Sequence, residues 1–453
     1  DSAGSYRLAK LVQDAYDKKP AKRGRFEKEV INVDERVNIL YTFFSGGFLT
    51  IFPIPGDAGN KWMSVQNASN HGMHSDPIPG TDLYLNYLQA LKGAIQSGSY
   101  SEADQLLESL KKNQKELGAK IYPPAFKTRL EIFYINFNIF SKLAKIYILI
   151  GLVLLLIQFV SLLSSGNKLT LSWKWPLAVV SLLFLIHTAG LGIRWYISEH
   201  APWSNGYETL LYISWATCLA GLVFARRSPM TLAVTTILSA ISLFVAGMSW
   251  MSPELTNLVP VLKSYWLVIH VAVITASYGF FGVAALLGIL NLVLMILQTT
   301  FRNDRIRFTI KELVVIIEIA FIIGLFLITI GAFLGGVWAN ESWGRYWGWD
   351  PKETWALVTV LVYAFIVHMD KIPGFRGPFA ISFAAIAGFC SVLMTFFGVN
   401  YYLSGLHSYA QGEPAPIPAG VFIGAAIVIL LSITAWISYR KYSMVEKESP
   451  ETE

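Results

Sequence analysis

The sequence predicts an all-α polytopic membrane protein of about nine transmembrane helices, preceded by a mostly helical extracytoplasmic region. Three observations carry this. Of 453 residues, 54% are hydrophobic and only 15% charged, with a mean hydropathy of +0.48, far from an average soluble domain. Beyond residue 143, apolar stretches alternate with short polar joints, and most are about as long as a helix needs to cross a bilayer, roughly twenty residues. The preceding part instead carries long polar runs such as SEADQLLESLKKNQKELGAK.

In that first part, residues 81–97 and 101–117 have helical periodicity, and 123–142 reads as a helix leading into the first span. Residues 39–54, ILYTFFSGGFLTIFPI, are apolar but interrupted by Gly46 and Gly47, and fit either a strand pair or a patch lying on the membrane. His71 and His74 fall in a polar loop, where solvent exposure is the simplest reading.

The spans are expected at 144–163, 175–196, 208–225, 230–250, 265–298, 312–338, 352–369, 378–399 and 419–438. The joint RRSP at 226–229 leaves room only for a tight hairpin. Lys168, Lys174, Arg226, Arg227, Arg302, Arg305, Arg307, Lys311, Lys371, Arg376, Arg440 and Lys441 fall on one set of joints. The other set holds only Arg194, Lys263, Arg345 and Lys352. By the positive-inside rule the first set is cytoplasmic. The expected organisation is therefore an extracytoplasmic region at 1–143, a transmembrane domain at 144–442 and a cytoplasmic tail at 443–453.

The formal charge of +6 does not point to nucleic acid, because the positives sit mostly at membrane edges. Cys218 and Cys390 lie inside apolar spans without metal-ligand spacing and read as small buried hydrophobes. The start, DSAGSYRLAK, has no initiator Met and no signal-peptide core, so a processed or truncated piece of something longer is expected.

Chemistry concentrates on the outer side. WGRYWGWDPKETWA, residues 343–356, packs four tryptophans, a tyrosine and two acids into one joint. His200, His270 and His407 fall on the same side. Imidazole is the commonest neutral nitrogen ligand, and a haem iron takes up to two axial ligands across a flat apolar ring. Two histidines closing on a ring that rests on tryptophans would satisfy both needs, with Arg345 and Lys352 meeting the propionates. A membrane-interface aromatic belt explains Trp195, Trp266 and Trp338 equally well. It does not explain the glycine spacing of the joint, Asp350, or the Lys352–Glu353 pair. Asp350, Pro351 and Glu353 also suit the cap, first position and third position of a helix, so capping and a direct site role both stand. His187 near mid-span reads as a helix–helix hydrogen bond or a ligand, and His368 near the inner end of its span as a snorkelling residue or a ligand.

These residues carry a resemblance. WGRYWGWDPKETWAL, together with RWYISEHAPWSNGYE (194–208), KSYWLVIHVAVITASYG (263–279), HMDKIPGFRG (368–377) and GVNYYLSGLHSYA (398–410), is similar to the haem-handling family of cytochrome c biogenesis whose signature is a tryptophan-rich "WWD" segment. The form is that of the CcsA (ResC) portion of System II synthases, and the preceding region resembles the end of a CcsB (ResB) portion in a fused CcsBA protein without its upstream spans. The resemblance implies an external haem surface built from Trp343, Arg345, Tyr346, Trp347, Trp349, Asp350 and Trp355, with His270 and His407 as axial ligands. It implies a second, inner site at His368, whose partner ligand comes from CcsB. The implied activity is a holocytochrome c synthase of the bacterial inner membrane, with its attachment site on the periplasmic face. It exports haem b and, with the iron reduced, joins its vinyls to the CxxCH cysteines of apocytochrome c kept reduced by a thioredoxin-like protein. Thioether formation needs placement more than a strong acid or base, and the sequence shows no triad or carboxylate pair. The alternative from another class is a transporter or chaperone that presents haem to a separate ligation partner. A quinol-oxidising haem protein would want paired histidines deep within facing spans, and a solute transporter internal repeats and broken helices.

Overall fold

The computed structural model describes residues 6–18, 23–72, 77–164, 174–258, 260–301, 303–403, 405, 417 and 419–448. It forms two compact units, Asp1–Thr128 and Arg129–Glu453.

The first unit is mostly helical: α1 (Ala9–Asp17), α2 (Arg25–Phe44), α3 (Val65–Gly72), α4 (Thr81–Ser97) and α5 (Ser101–Leu117). The last two are the helices that periodicity predicts. Gly80 and Gly98, both at positive φ (96° and 75°), bracket α4, a backbone conformation only glycine takes without strain. Glu102 and Asp104 in the first turn of α5 and Lys115 in its last complement the helix dipole. The apolar stretch 39–54 divides: its first residues finish α2, and Thr50–Pro53 (β1) pairs antiparallel with Trp62–Ser64 (β2). Phe52, Ala68, Ile78 and Leu110 form this unit's core.

Among the described residues, nine helices are long and apolar enough to cross a membrane. The first runs from Ala125 to Leu163 as α6 (Ala125–Phe137) and α7 (Ile139–Leu163), interrupted at Asn138, whose φ of 46° is one that asparagine tolerates. Then follow α8 (Lys174–Ser198), α9 (Gly206–Phe224), α10 (Pro229–Ala246), α11 (Tyr265–Phe301), α12 (Asp304–Trp343), α13 (Pro351–His368), α14 (Pro378–Leu393), α15 (Val399–Tyr402) and α16 (Ala419–Glu448). Several boundaries differ from expectation, among them the start of α7 at Ile139, the end of α12 at Trp343 and the end of α16 at Glu448. The fourth span stops at Ala246, and the sixth starts at Asp304 because the Asn303 side chain caps it by accepting from the Arg305 N–H. The tight α9–α10 hairpin is made by Ser228, which caps α10 ahead of Pro229. Gly221 lets the two helices meet: a Cβ there would lie 1.9 Å from Thr235 Oγ1.

In the bundle α11 packs against α9, α10, α12, α14 and α16. Lipid offers no hydrophobic drive between helices, so close approach through small residues matters. On α12, Gly324 receives the Phe281 ring, Gly331 the backbone of Ile274, and Gly335 the His270 ring. On the outside, α16 exposes the apolar side chains Val421, Phe422, Ile423, Ile427 and Leu430.

Candidate functional site at the tryptophan end of the bundle

Chain alternation brings the start of α9, the start of α11, the end of α12, the start of α13 and the end of α15 to one end of the bundle. A cavity of about 660 Å³ opens there, within the range of small-molecule sites. His200, Trp203, His270, Tyr346, Trp347 and Lys352 are among the residues lining it.

His270 sits in the second turn of α11. Its Nδ1 lies 2.6 Å from the Gly331 carbonyl oxygen. A carbonyl only accepts, so Nδ1 is the donor, and in the neutral ring the lone pair with which imidazole ligates metal then lies on Nε2. The ring lies on Gly335, where a Cβ would come within 2.5 Å of Cε1.

The tryptophan-rich joint is built by local rules. Gly344, at φ 71°, ends α12, its N–H bonded to Asn340 O. Asp350 caps α13, Pro351 takes its first position, and Glu353 completes a capping box. Glu353 Oε2 accepts from the Gly348 N–H (2.7 Å) and the Asp350 N–H (3.3 Å). The joint also folds back on α12, its Tyr346 carbonyl 3.1 Å from where a Gly336 Cβ would stand. Trp349 is held at φ 56° and is 70% exposed. For a bulky residue that conformation is strained, and strain of this kind clusters at functional sites.

Of the predicted residues, the cavity brings together His270, Tyr346, Trp347 and Lys352. Trp343, Arg345, Trp349, Asp350 and Trp355 lie behind or beside its lining. Trp343 packs edge-on against buried Trp338 (4.7 Å), and Trp349 edge-on against Trp347 (5.8 Å). The Arg345 guanidinium lies over Gly348 and 4.0 Å from Glu353 Oε1. Trp355 contributes its carbonyl, which accepts from Thr359 and Thr395. His407 falls outside the described residues. The chain two residues before it is placed, however: a Cβ on Gly405 would lie 2.3 Å from Asp350 Oδ1 and 2.8 Å from Pro351 Cδ.

The opposite wall comes from a motif whose residues the sequence did not rank. Arg194 and Glu208, each 1% exposed, pair at 2.8 Å. The same guanidinium donates to the carbonyls of Pro253 (3.0 Å) and Glu254 (3.1 Å), and Glu208 Oε2 accepts from the Ser204 N–H. The pair thus ties the segment that leads into the cavity wall at Thr256, Asn257 and Leu258 to α8 and α9. His200 bridges to Thr256 O at 3.2 Å, and Trp203 donates its indole N–H to Val268 O at 3.0 Å. A charged pair spaced fourteen residues apart within one quoted motif was the available signal.

The remaining histidines are elsewhere. His187, fully buried, bonds through Nε2 to Leu211 O (3.2 Å) and so joins α8 to α9. His368 is exposed at the far end of α13, its Nδ1–H donated to Ala364 O (2.7 Å). His71 is exposed, and His74 lies outside the described residues. Cys218 is buried and Cys390 exposed. Among the described residues no three His, Cys, Asp or Glu side chains group as a metal site. A macrocycle that brings its own four nitrogens needs no such group.

Residues 203–407 match the model of a family described as cytochrome C assembly protein. The chain is 39% identical over 439 residues to Protein NrfI of Wolinella succinogenes, an alignment that takes in 96% of this chain and 48% of that protein. It thus spans about half the length of that relative. It is 34% identical over 301 residues to the cytochrome c biogenesis protein CcsA of Guillardia theta, with 61% of this chain and 99% of that protein aligned. For CcsA of Prochlorococcus marinus strain MIT 9515 the values are 33% over 302 residues, 61% and 96%.

Proposed function

Because the chain belongs to the CcsA family of cytochrome c biogenesis proteins, a multi-pass membrane family of System II, we propose that its tryptophan-end cavity receives exported haem b and holds it for covalent attachment to apocytochrome c. The observation that carries this reading is His270, whose Nδ1 is engaged by the Gly331 carbonyl at the wall of a cavity lined by tryptophan and tyrosine.

The residues fit haem in three respects. His270 supplies a nitrogen lone pair, Trp203, Trp338, Tyr346 and Trp347 supply flat apolar surface, and Lys352 supplies a cation for the propionates. His407 is the proposed second axial ligand, and the seat of Gly405 on Asp350 and Pro351 supports its approach to this end. Arg226, Arg227, Arg305, Arg307, Lys371 and Arg376 fall on the set of joints away from the cavity, and the positive-inside rule supports a reading in which that end is cytoplasmic and the cavity periplasmic. The exposure of His368 on the bundle surface suits an inner site shared with a CcsB helix.

In this reading the iron is reduced and the CxxCH cysteines are kept as thiols by a thioredoxin-like partner. Each S–H adds across one vinyl C=C, sulfur to one carbon and hydrogen to the other, so two thioethers form with no net oxidation. The peptide histidine then replaces one of the protein's axial ligands. The protein contributes ligation, a flat support and orientation rather than an acid or base.

The test is the oxidised and reduced absorption spectrum of the detergent-purified protein, for wild type, His270→Ala and His407→Ala, each with and without imidazole. Loss of haem in the variants and its recovery with imidazole is the expected result, and unchanged haem in both would remove the ligand assignment. Incubation with reductant and a CxxCH peptide then separates a synthase from a carrier. A synthase yields peptide whose haem survives denaturation, and a carrier yields only dissociable haem.

A further inference from the structure

Resting on the haem reading above, we propose that Lys352 and Asn400 form the carboxylate-binding corner of the cavity and fix which edge of the macrocycle faces outward. Both side chains line the cavity. An ammonium has three donors, and Lys352 Nζ makes one hydrogen bond, 3.1 Å to Asn400 Oδ1. Among the described residues no carboxylate pairs with it. The two acids nearest in sequence are engaged at the cap: Asp350 accepts from the Lys352 N–H, and Glu353 from the N–H groups of Gly348 and Asp350. The ammonium has one hydrogen bond, to an amide oxygen, and Asp350 and Glu353 as neighbouring acids that are committed to the α13 cap, so a ligand carboxylate can take its further N–H donors.

Asn400 is aimed by the backbone. Between α14 and α15 the helix widens into a π turn, Met394–Gly398. One extra residue in a helix rotates everything after it by about 100°. Without that turn position 400 would be rotated by about 100° from the direction in which it meets Lys352. The amide is oriented from both sides, since its Nδ2 donates to Phe396 O at 2.7 Å and its Oδ1 accepts from Lys352.

Arg345, the other cation of the joint, does not line the cavity. Its guanidinium lies over Gly348, 5.9 Å from the Trp343 ring centroid. Lys352 is therefore the cation that meets the ligand. The two propionates of haem lie on one edge and the vinyls away from them. Holding the propionates at the α13–α15 corner turns the vinyls away from Lys352, and so chooses the edge at which thiols can add.

The test uses the full chain, titrated with reduced haem and with haem dimethyl ester, whose propionates are blocked, and read by Soret absorbance. Wild type should prefer the free acid roughly ten- to a hundred-fold, the range for charge-assisted hydrogen bonds. Lys352→Met should remove that preference, with a thermal unfolding curve like that of wild type showing that the protein is folded. Asn400→Leu should reduce it and Lys352→Arg retain it. A Lys352→Met protein that keeps the preference, or an Arg345→Met protein that loses it instead, overturns the assignment. Wild type that binds neither porphyrin overturns the haem reading itself, and this one with it.

Discussion

His270 on α11 gives its Nδ1–H to the Gly331 carbonyl on α12 at 2.6 Å, and the same ring rests on Gly335 one turn further on. One hydrogen bond and one missing side chain therefore set both the protonation and the position of the candidate ligand. Gly335→Ala tests this. Alanine is the better helix former by about 1 kcal/mol, so α12 itself should not suffer. The new Cβ must push the ring from its seat. The expected outcome is loss of most bound haem with thermal stability nearly kept. Full haem content in this variant would show that the seat does not matter.

Gly405 makes a parallel prediction for the segment leading to His407. Its missing Cβ is occupied by Asp350 and Pro351, both fixed by the α13 cap. Gly405→Ala should reproduce the spectrum of His407→Ala, including recovery by imidazole. Gly348→Ala is the contrast, because the group it meets is the end of a flexible arginine, and it should be mild. Equal effects of the two substitutions would contradict the difference.

Arg194 and Glu208 are buried together, and removing one partner strands the other. Arg194→Met or Glu208→Gln alone should cost about 3–5 kcal/mol, and the double variant less than the sum. Thermal unfolding in detergent measures this. Single variants within about 0.5 kcal/mol of wild type would mean the pair does not hold the wall segment.

Trp349 separates strain from function. Holding a non-glycine residue in the left-handed region costs about 1–2 kcal/mol. Trp349→Gly should therefore unfold at the same temperature as wild type or higher, while retaining less haem. Trp349→Phe, which keeps the strain and a ring, should change both less. A Trp349→Gly protein that loses stability would show that the indole packing outweighs the backbone cost.

Much of the architecture was legible because membrane spans and caps are local. Twenty apolar residues need no partner to declare a crossing, and Asp350, Pro351 and Glu353 declare a helix start by their spacing alone. The apolar run 39–54 was ambiguous because its length and glycines suit several solutions. Only pairing with Trp62–Ser64 decided that its second half is a strand.

By itself the sequence determined that there are about nine apolar spans, where most of them begin within a few residues, and that His200, His270 and the tryptophan-rich joint gather at one end. Those properties follow from hydrophobicity, periodicity and chain alternation, which are carried by neighbours in the chain. The tertiary structure decided which residues of that end share a cavity. It placed Lys352 on the lining and Arg345 off it, engaged Nδ1 of His270 with the Gly331 carbonyl, and made Arg194 a tie to a loop about sixty residues away. Each depends on a group supplied by a part of the chain distant in sequence, and no spacing within a single segment records it.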